Sequence, residues 1–115
     1  TDRILLVSDG IAATGMPDGN YRLGTFDVNV SGGVARDADG RLAGSTLTLD
    51  RAVRHVVGLG VPPIEAIRMA TIGPAHRLGI AGKKGVIAPG ADADLIFLTP
   101  DLNLKGVMIR GVGPE

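Results

Sequence analysis

Ile4-Leu5-Leu6-Val7-Ser8-Asp9-Gly10 is the stretch on which the reading of this chain turns. Four apolar residues run unbroken into a hydroxyl, a carboxylate and a glycine. A run of this kind suits a strand buried on both faces, and an acid at its carboxyl end sits where parallel α/β folds keep their chemistry. Asp9 is therefore the first candidate for a general acid/base or for the neighbour of a bound cation. An Asp that closes a turn is the alternative at this point. A doubly covered parallel strand needs neighbours on both sides, and the three residues ahead of Ile4 offer neither a strand nor a crossover helix. With Thr1 in place of an initiating Met, the expectation is the C-terminal part of a larger protein.

Downstream of Asp9, residues 10–20 lack either period and contain Pro17 and three glycines, so they read as a surface loop leaving the strand end. From Tyr21 the pattern alternates. Phe26, Val28 and Val30 fall on one face, with Thr25, Asp27 and Asn29 on the other. Asp37-Ala38-Asp39-Gly40 supplies a turn between Val34-Ala35-Arg36 and Arg41-Leu42, which predicts a small antiparallel hairpin or meander.

Helical spacing then takes over at Leu49, Ala52, Val53, Val56 and Val57, with Ser45, Thr46 or Thr48 available as a cap and Gly58 and Gly60 as the stop. A second helix is predicted from Pro62-Pro63-Ile64-Glu65 towards Gly73, and a short third one over Pro74–Leu78, ended by Gly79. Beyond Lys83 the text returns to β character. Gly85-Val86-Ile87, Asp94–Leu98 and Val107-Met108-Ile109 read as strands separated by turns, a small antiparallel sheet distinct from the opening parallel strand.

The whole chain narrows the function classes. Its 115 residues, 44% of them hydrophobic, suffice for one domain with a core. Twelve basic and twelve acidic residues balance to a formal net charge of zero without runs of either sign. One Tyr and two Phe provide no stacking platform, so nucleic-acid binding is not expected. No apolar stretch reaches the roughly 18 residues of a membrane helix, and no membrane association is expected. The absence of cysteine removes disulfide and thiolate chemistry and fits a cytoplasmic protein.

Other ionisable candidates have structural readings. His55 lies at the edge of an amphipathic helical face, and His76 lies near a helix end where a cation favours the dipole. They do not pair at ligand spacing. Asp92 and Asp94 flank Ala93 after a Pro-Gly turn, and read as a turn carboxylate and a strand-start residue, not a metal site. No phosphate-loop glycine pattern occurs around Gly32-Gly33, and the arginines are scattered. A metal hydrolase needs several ligands around its ion, which two isolated histidines cannot supply. If the chain serves an enzyme, those ligands lie upstream.

The residues resemble a known family. Leu6-Val7-Ser8-Asp9-Gly10, with Ala13-Thr14-Gly15 and the Pro17-Asp18-Gly19 turn, is similar to the last barrel strand and loop of N-acetylglucosamine-6-phosphate deacetylases. The stretch from Gly40 to Asp50, through Leu42-Ala43-Gly44-Ser45, resembles a segment of the same family. Ala66–Thr71 with Pro74-Ala75, and Lys84–Leu95, resemble the C-terminal signature of the wider amidohydrolase superfamily. The family commonly has Thr-Asp-Ala where this chain has Ser8-Asp9-Gly10.

The resemblance implies an α/β fold: the C-terminal part of a TIM-type (β/α)8 barrel, its last strand plus helices, over residues 1–82. Returning strands of a small β-sandwich domain would follow over 83–115. It implies a metal-dependent amidohydrolase that cleaves the acetamide of N-acetylglucosamine 6-phosphate to glucosamine 6-phosphate and acetate. Asp9 would be the catalytic acid/base. Leu42, Ala43 and Gly44 would bind the phosphosugar substrate, through backbone groups. A divalent metal, zinc or similar, would be held by residues outside this chain, with no metal ligand within it, in a full-length protein expected to be a homo-oligomer. Another amidohydrolase acting on a cyclic amide or an N-acyl amino acid, and an inactive structural fragment, are the alternatives. The isolated chain is expected to be inactive and poorly soluble, because a lone barrel strand leaves unpaired edges and apolar faces.

Overall fold

A computed structural model describes residues 3–113. Thr1 and Glu115, the outer limits of the two expected domains, lie outside the described residues. The architecture is mixed α/β, with the order β1 (Gly19–Leu23), β2 (Phe26–Ser31), β3 (Val34–Arg36), α1 (Leu49–Gly58), α2 (Pro63–Ala70), α3 (Ile72–Arg77), β4 (Leu95–Leu98) and β5 (Leu104–Met108). Two compact units divide it. One is Val7–Ala52, and the other joins the described residues ahead of Val7 to those from Val53 onward.

In the first unit the alternating segment forms an antiparallel meander, β1-β2-β3, in which Tyr21 faces Val28 and Val30 faces Ala35. The period-two pattern explains its core. Val28 and Val30 are buried, and Ala13, Ala35 and Ala43 close against them, with Ile11, Tyr21 and Leu23 packed at the margin. Phe26, expected on the same face, stays exposed at the strand's start. Gly24, with φ of 60°, turns β1 into β2, and the Arg22 guanidinium donates to the Thr25 carbonyl across that turn. After β3 the Asp37 carboxylate accepts from the amides of Asp39 and Arg41 at 3.0 and 2.8 Å, closing the turn that sequence placed there.

The second unit contains the helix pair and the C-terminal hairpin. Pro63 opens α2 at the position where a missing N–H costs nothing. Ala66 and Met69 face inward from α2, and Ala75 from α3. Of the proposed caps for α1, Thr48 supplies a backbone carbonyl to the Ala52 amide, whereas the Ser45 hydroxyl accepts from Leu47 and the Thr46 hydroxyl donates to Gly33. β4 and β5 pair antiparallel, Leu95 opposite Met108. The Arg54 guanidinium donates to the Leu102 carbonyl at 2.9 Å.

Two expected strands do not form. Ile4–Ser8 has no strand partner among the described residues; its Leu6 amide donates instead to the Met69 carbonyl at 3.0 Å. Burial of such a run comes from neighbouring strands, and without them Ile4 and Val7 are 54% and 74% exposed. Gly85-Val86-Ile87 is likewise irregular. Gly85 holds φ of 79°, a left-handed conformation that breaks an extended segment, and a β-carbon there would lie 2.8 Å from the Ile72 Cα. No helix among the described residues is long and apolar enough to cross a membrane.

Candidate active site

Asp9 is exposed and adopts φ of 47°, the left-handed region that L-residues enter at a cost. The backbone around it is held on one side. The Ser45 amide donates to the Asp9 carbonyl at 3.0 Å, and the Ile11 amide donates to the Ser45 carbonyl at 3.1 Å, making a parallel bridge between Gly10 and Ser45. A further donor reaches the same Ser45 carbonyl: the Thr14 hydroxyl, at 3.1 Å.

The loop that leaves Asp9 folds onto the meander. Thr14 and Met16 amides donate back to the carbonyls of Ile11 and Ala13 at 2.9 and 3.0 Å, a turn that drives Ala13 into the core, where it is fully buried. At the opposite end of the meander Leu42 bridges Arg36, and the Ala43 amide donates to the Ala35 carbonyl at 3.0 Å. The meander thus returns Leu42-Ala43-Gly44 to the Asp9 loop. Leu42 is 70% exposed, Ala43 is buried with the valines, and Gly44 runs against the loop itself. At φ of 81°, a β-carbon on Gly44 would lie 2.4 Å from the Ile11 Cγ2 and 3.5 Å from the Asp9 carbonyl oxygen.

All four candidate residues from the sequence therefore stand in one compact unit, with Asp9 and Gly44 as near neighbours. Chemically the arrangement offers an accessible carboxylate on a braced backbone next to a segment whose exposed Leu42 side chain faces solvent. Sequence reasoning quoted Thr14 and Ser45 only within motifs, giving Thr14 no role of its own and Ser45 only that of a possible cap. The glycine inside Leu42–Ser45 is the signal that could have shown a close backbone approach.

The other candidates behave structurally. His55 is exposed on α1, and exposed His76 sits in the last turn of α3, lining with Ile4, Arg68 and Met69 a cavity of about 320 Å³ that none of the four candidate residues lines. The Lys84 ammonium joins both carboxylates of the Asp92/Asp94 pair, at 2.9 Å from Asp92 and hydrogen-bonded to Asp94, whose other oxygen accepts from the Arg110 amide at 2.8 Å. Those bonds, Asp94 first and Asp92 second, hold the Lys84 ammonium above the usual lysine range. The bonds from Lys84 and then from the Arg110 amide hold Asp94 below the usual carboxylate range. Among the described residues no group of three or more His, Cys, Asp or Glu side chains could hold a metal ion.

Residues 3–112 match the Amidohydrolase family. The N-acetylgalactosamine-6-phosphate deacetylase of Escherichia coli O157:H7 is 47% identical over 96% of this chain and 29% of its own length. The N-acetylglucosamine-6-phosphate deacetylase of Vibrio furnissii is 39% identical over 95% of this chain and 28% of its own. A solved structure of a mutant N-acetyl-D-glucosamine-6-phosphate deacetylase from Mycobacterium smegmatis, in complex with N-acetyl-D-glucosamine-6-phosphate, is 41% identical. It superposes with a TM-score of 0.88 over 97% of this chain and 30% of that one. The chain spans less than a third of each of these three proteins.

Proposed function

The chain belongs to the amidohydrolase family, and from that membership we propose that the full-length protein removes the acetyl group of N-acetylglucosamine 6-phosphate, releasing glucosamine 6-phosphate and acetate. One observation carries the reading. An accessible carboxylate in a strained, braced backbone stands beside the Leu42–Gly44 segment, in a chain similar to enzymes named for deacetylating amino-sugar 6-phosphates.

In this reading the Asp9 carboxylate accepts a proton from the water that attacks the acetamide carbonyl. It then delivers that proton to the nitrogen of the departing amine, so one group serves as base and then as acid. The backbone groups of Leu42, Ala43 and Gly44 hold the sugar so that its acetamide meets Asp9. A divalent cation, when bound, supplies polarisation of the carbonyl and acidifies the water. The described residues by themselves do not fit such an ion, since one carboxylate cannot fix it. Its ligands belong, in this proposal, to polypeptide outside this chain. Residues 1–82 would complete a TIM-type barrel and 83–115 a small β-sandwich, in a cytoplasmic homo-oligomer.

Replacing Asp9 by Asn in the full-length protein is expected to lower kcat by about 10²–10⁴-fold with an unchanged circular dichroism spectrum. Near-normal turnover overturns the assignment.

The higher identity to the Escherichia coli O157:H7 relative, 47% against 39% for the Vibrio furnissii one, favours a second reading in which the substrate is the C4 epimer, N-acetylgalactosamine 6-phosphate. The ratio of kcat/KM for the two epimers decides between them. Equal turnover of unphosphorylated N-acetylglucosamine counts against both.

A further inference from the structure

We propose that Thr14 is a positioning residue for Asp9, its hydroxyl fixing the segment that carries the binding candidates against the backbone that carries the carboxylate. The inference rests on the reading of Asp9 as the proton-transferring group.

The Thr14 hydroxyl is not needed by its own turn. The Thr14 amide already satisfies the Ile11 carbonyl at 2.9 Å. The hydroxyl reaches across the chain instead, to the Ser45 carbonyl at 3.1 Å, where the Ile11 amide donates as well. Both lone pairs of that carbonyl are thereby engaged, and the amide of the same residue holds the Asp9 carbonyl at 3.0 Å. Three contacts converge on Ser45, and two of them come from the loop that follows Asp9.

The hydroxyl also seats against the residue after the carboxylate. A β-carbon at Gly10 would lie 3.1 Å from the Thr14 Oγ1. Asp9 at φ of 47° holds a conformation unfavourable for an L-residue, which persists only where neighbours hold it, and the adjoining segment passes it at Gly44. Ala13, fully buried in the meander core, anchors Thr14 from the other side. Loss of the hydroxyl thus lets the Asp9 loop and the Leu42–Gly44 segment move relative to each other. Alignment of carboxylate and acetamide suffers while most sugar contacts persist, so kcat is affected more than KM.

The test compares Thr14→Val, which keeps the shape and loses the hydroxyl, with Thr14→Ser, which keeps the hydroxyl, in the full-length protein assayed on both N-acetylhexosamine 6-phosphate epimers. Thr14→Val is expected to lower kcat about three- to tenfold, the worth of one hydrogen bond, with KM within about twofold, and Thr14→Ser to restore it. Unchanged kcat in Thr14→Val overturns the proposal. Equal impairment of both variants assigns the effect to methyl packing and overturns it too. If the wild-type protein turns over neither sugar, the functional reading fails separately, and amide exchange across residues 9–14 then decides. Faster exchange in Thr14→Val than in Thr14→Ser and wild type supports the brace; equal protection in all three overturns it.

Discussion

At Gly44 the chain passes so close to Ile11 that a β-carbon would stand 2.4 Å from its Cγ2 methyl. Only a residue without a side chain fits that crossing, and the φ of 81° there excludes other residues a second time. Gly44→Ala is therefore expected to destabilise the full-length protein by about 1–3 kcal/mol and to depress turnover, because relief of the clash pushes the Asp9 loop outward. Gly40→Ala is the control. It shares the left-handed φ, at 79°, but meets nothing within 4 Å. Urea denaturation of the two variants should separate clash from strain, with Gly44→Ala the more damaging.

Val28 is 1% exposed at the centre of the meander that carries both halves of the candidate site. Val28→Ala removes two methyl groups from a closed core and should cost about 2 kcal/mol by thermal or chemical denaturation. Ile87→Ala, at a side chain 89% exposed, should cost far less.

The Lys84–Asp94 pair sets two windows of pH dependence. Asp94 is held below the usual carboxylate range by the hydrogen bond from Lys84. Its contribution is present above the carboxylate value of the unfolded chain and lost as pH falls through the depressed folded value. Lys84 is held above the usual lysine range by its bonds to Asp94 and Asp92. Its contribution is present below the unfolded lysine value and lost as pH rises through the raised folded one. Lys84→Met should flatten the melting-temperature profile at both the acid and alkaline ends and change its shape little near neutrality. A profile of unaltered shape at the extremes would contradict this account.

Ile4 and Val7 expose 54% and 74% of their surface along a segment without a strand partner among the described residues. The 115-residue chain produced by itself should self-associate through that edge, and Val7→Lys should reduce the association in light scattering. A monomeric chain with a cooperative melt would argue against it.

Much of the local structure was legible. Alternation through Val28 and Val30 marked the meander, the Asp37–Gly40 turn its last corner, and Pro62-Pro63 with the glycines after Val57 the helix limits. Those signals are local, written in side-chain period and in φ restrictions. The fate of Ile4–Val7 was not, because burial of an apolar run depends on strands beside it. Gly85 was misread for a related reason: the Ile72 backbone leaves no room for a β-carbon there, a restriction set by a residue distant in sequence. Within the site, the apolar run ahead of Asp9 singled out the carboxylate, whereas Leu42–Gly44 were found through resemblance alone. Their approach to Asp9 depends on the return of the chain along β3, where Leu42 bridges Arg36 and the Ala43 amide meets the Ala35 carbonyl. The Thr14 hydroxyl gave no signal at all, since a threonine in a loop has many possible partners.

The turn at Gly24 has an experimental use. The chain contains no cysteine, and Thr25 is exposed at the far end of the β1–β2 hairpin. Thr25→Cys would give a single thiol for attaching a fluorophore, a reporter on the hairpin that leaves the core valines untouched.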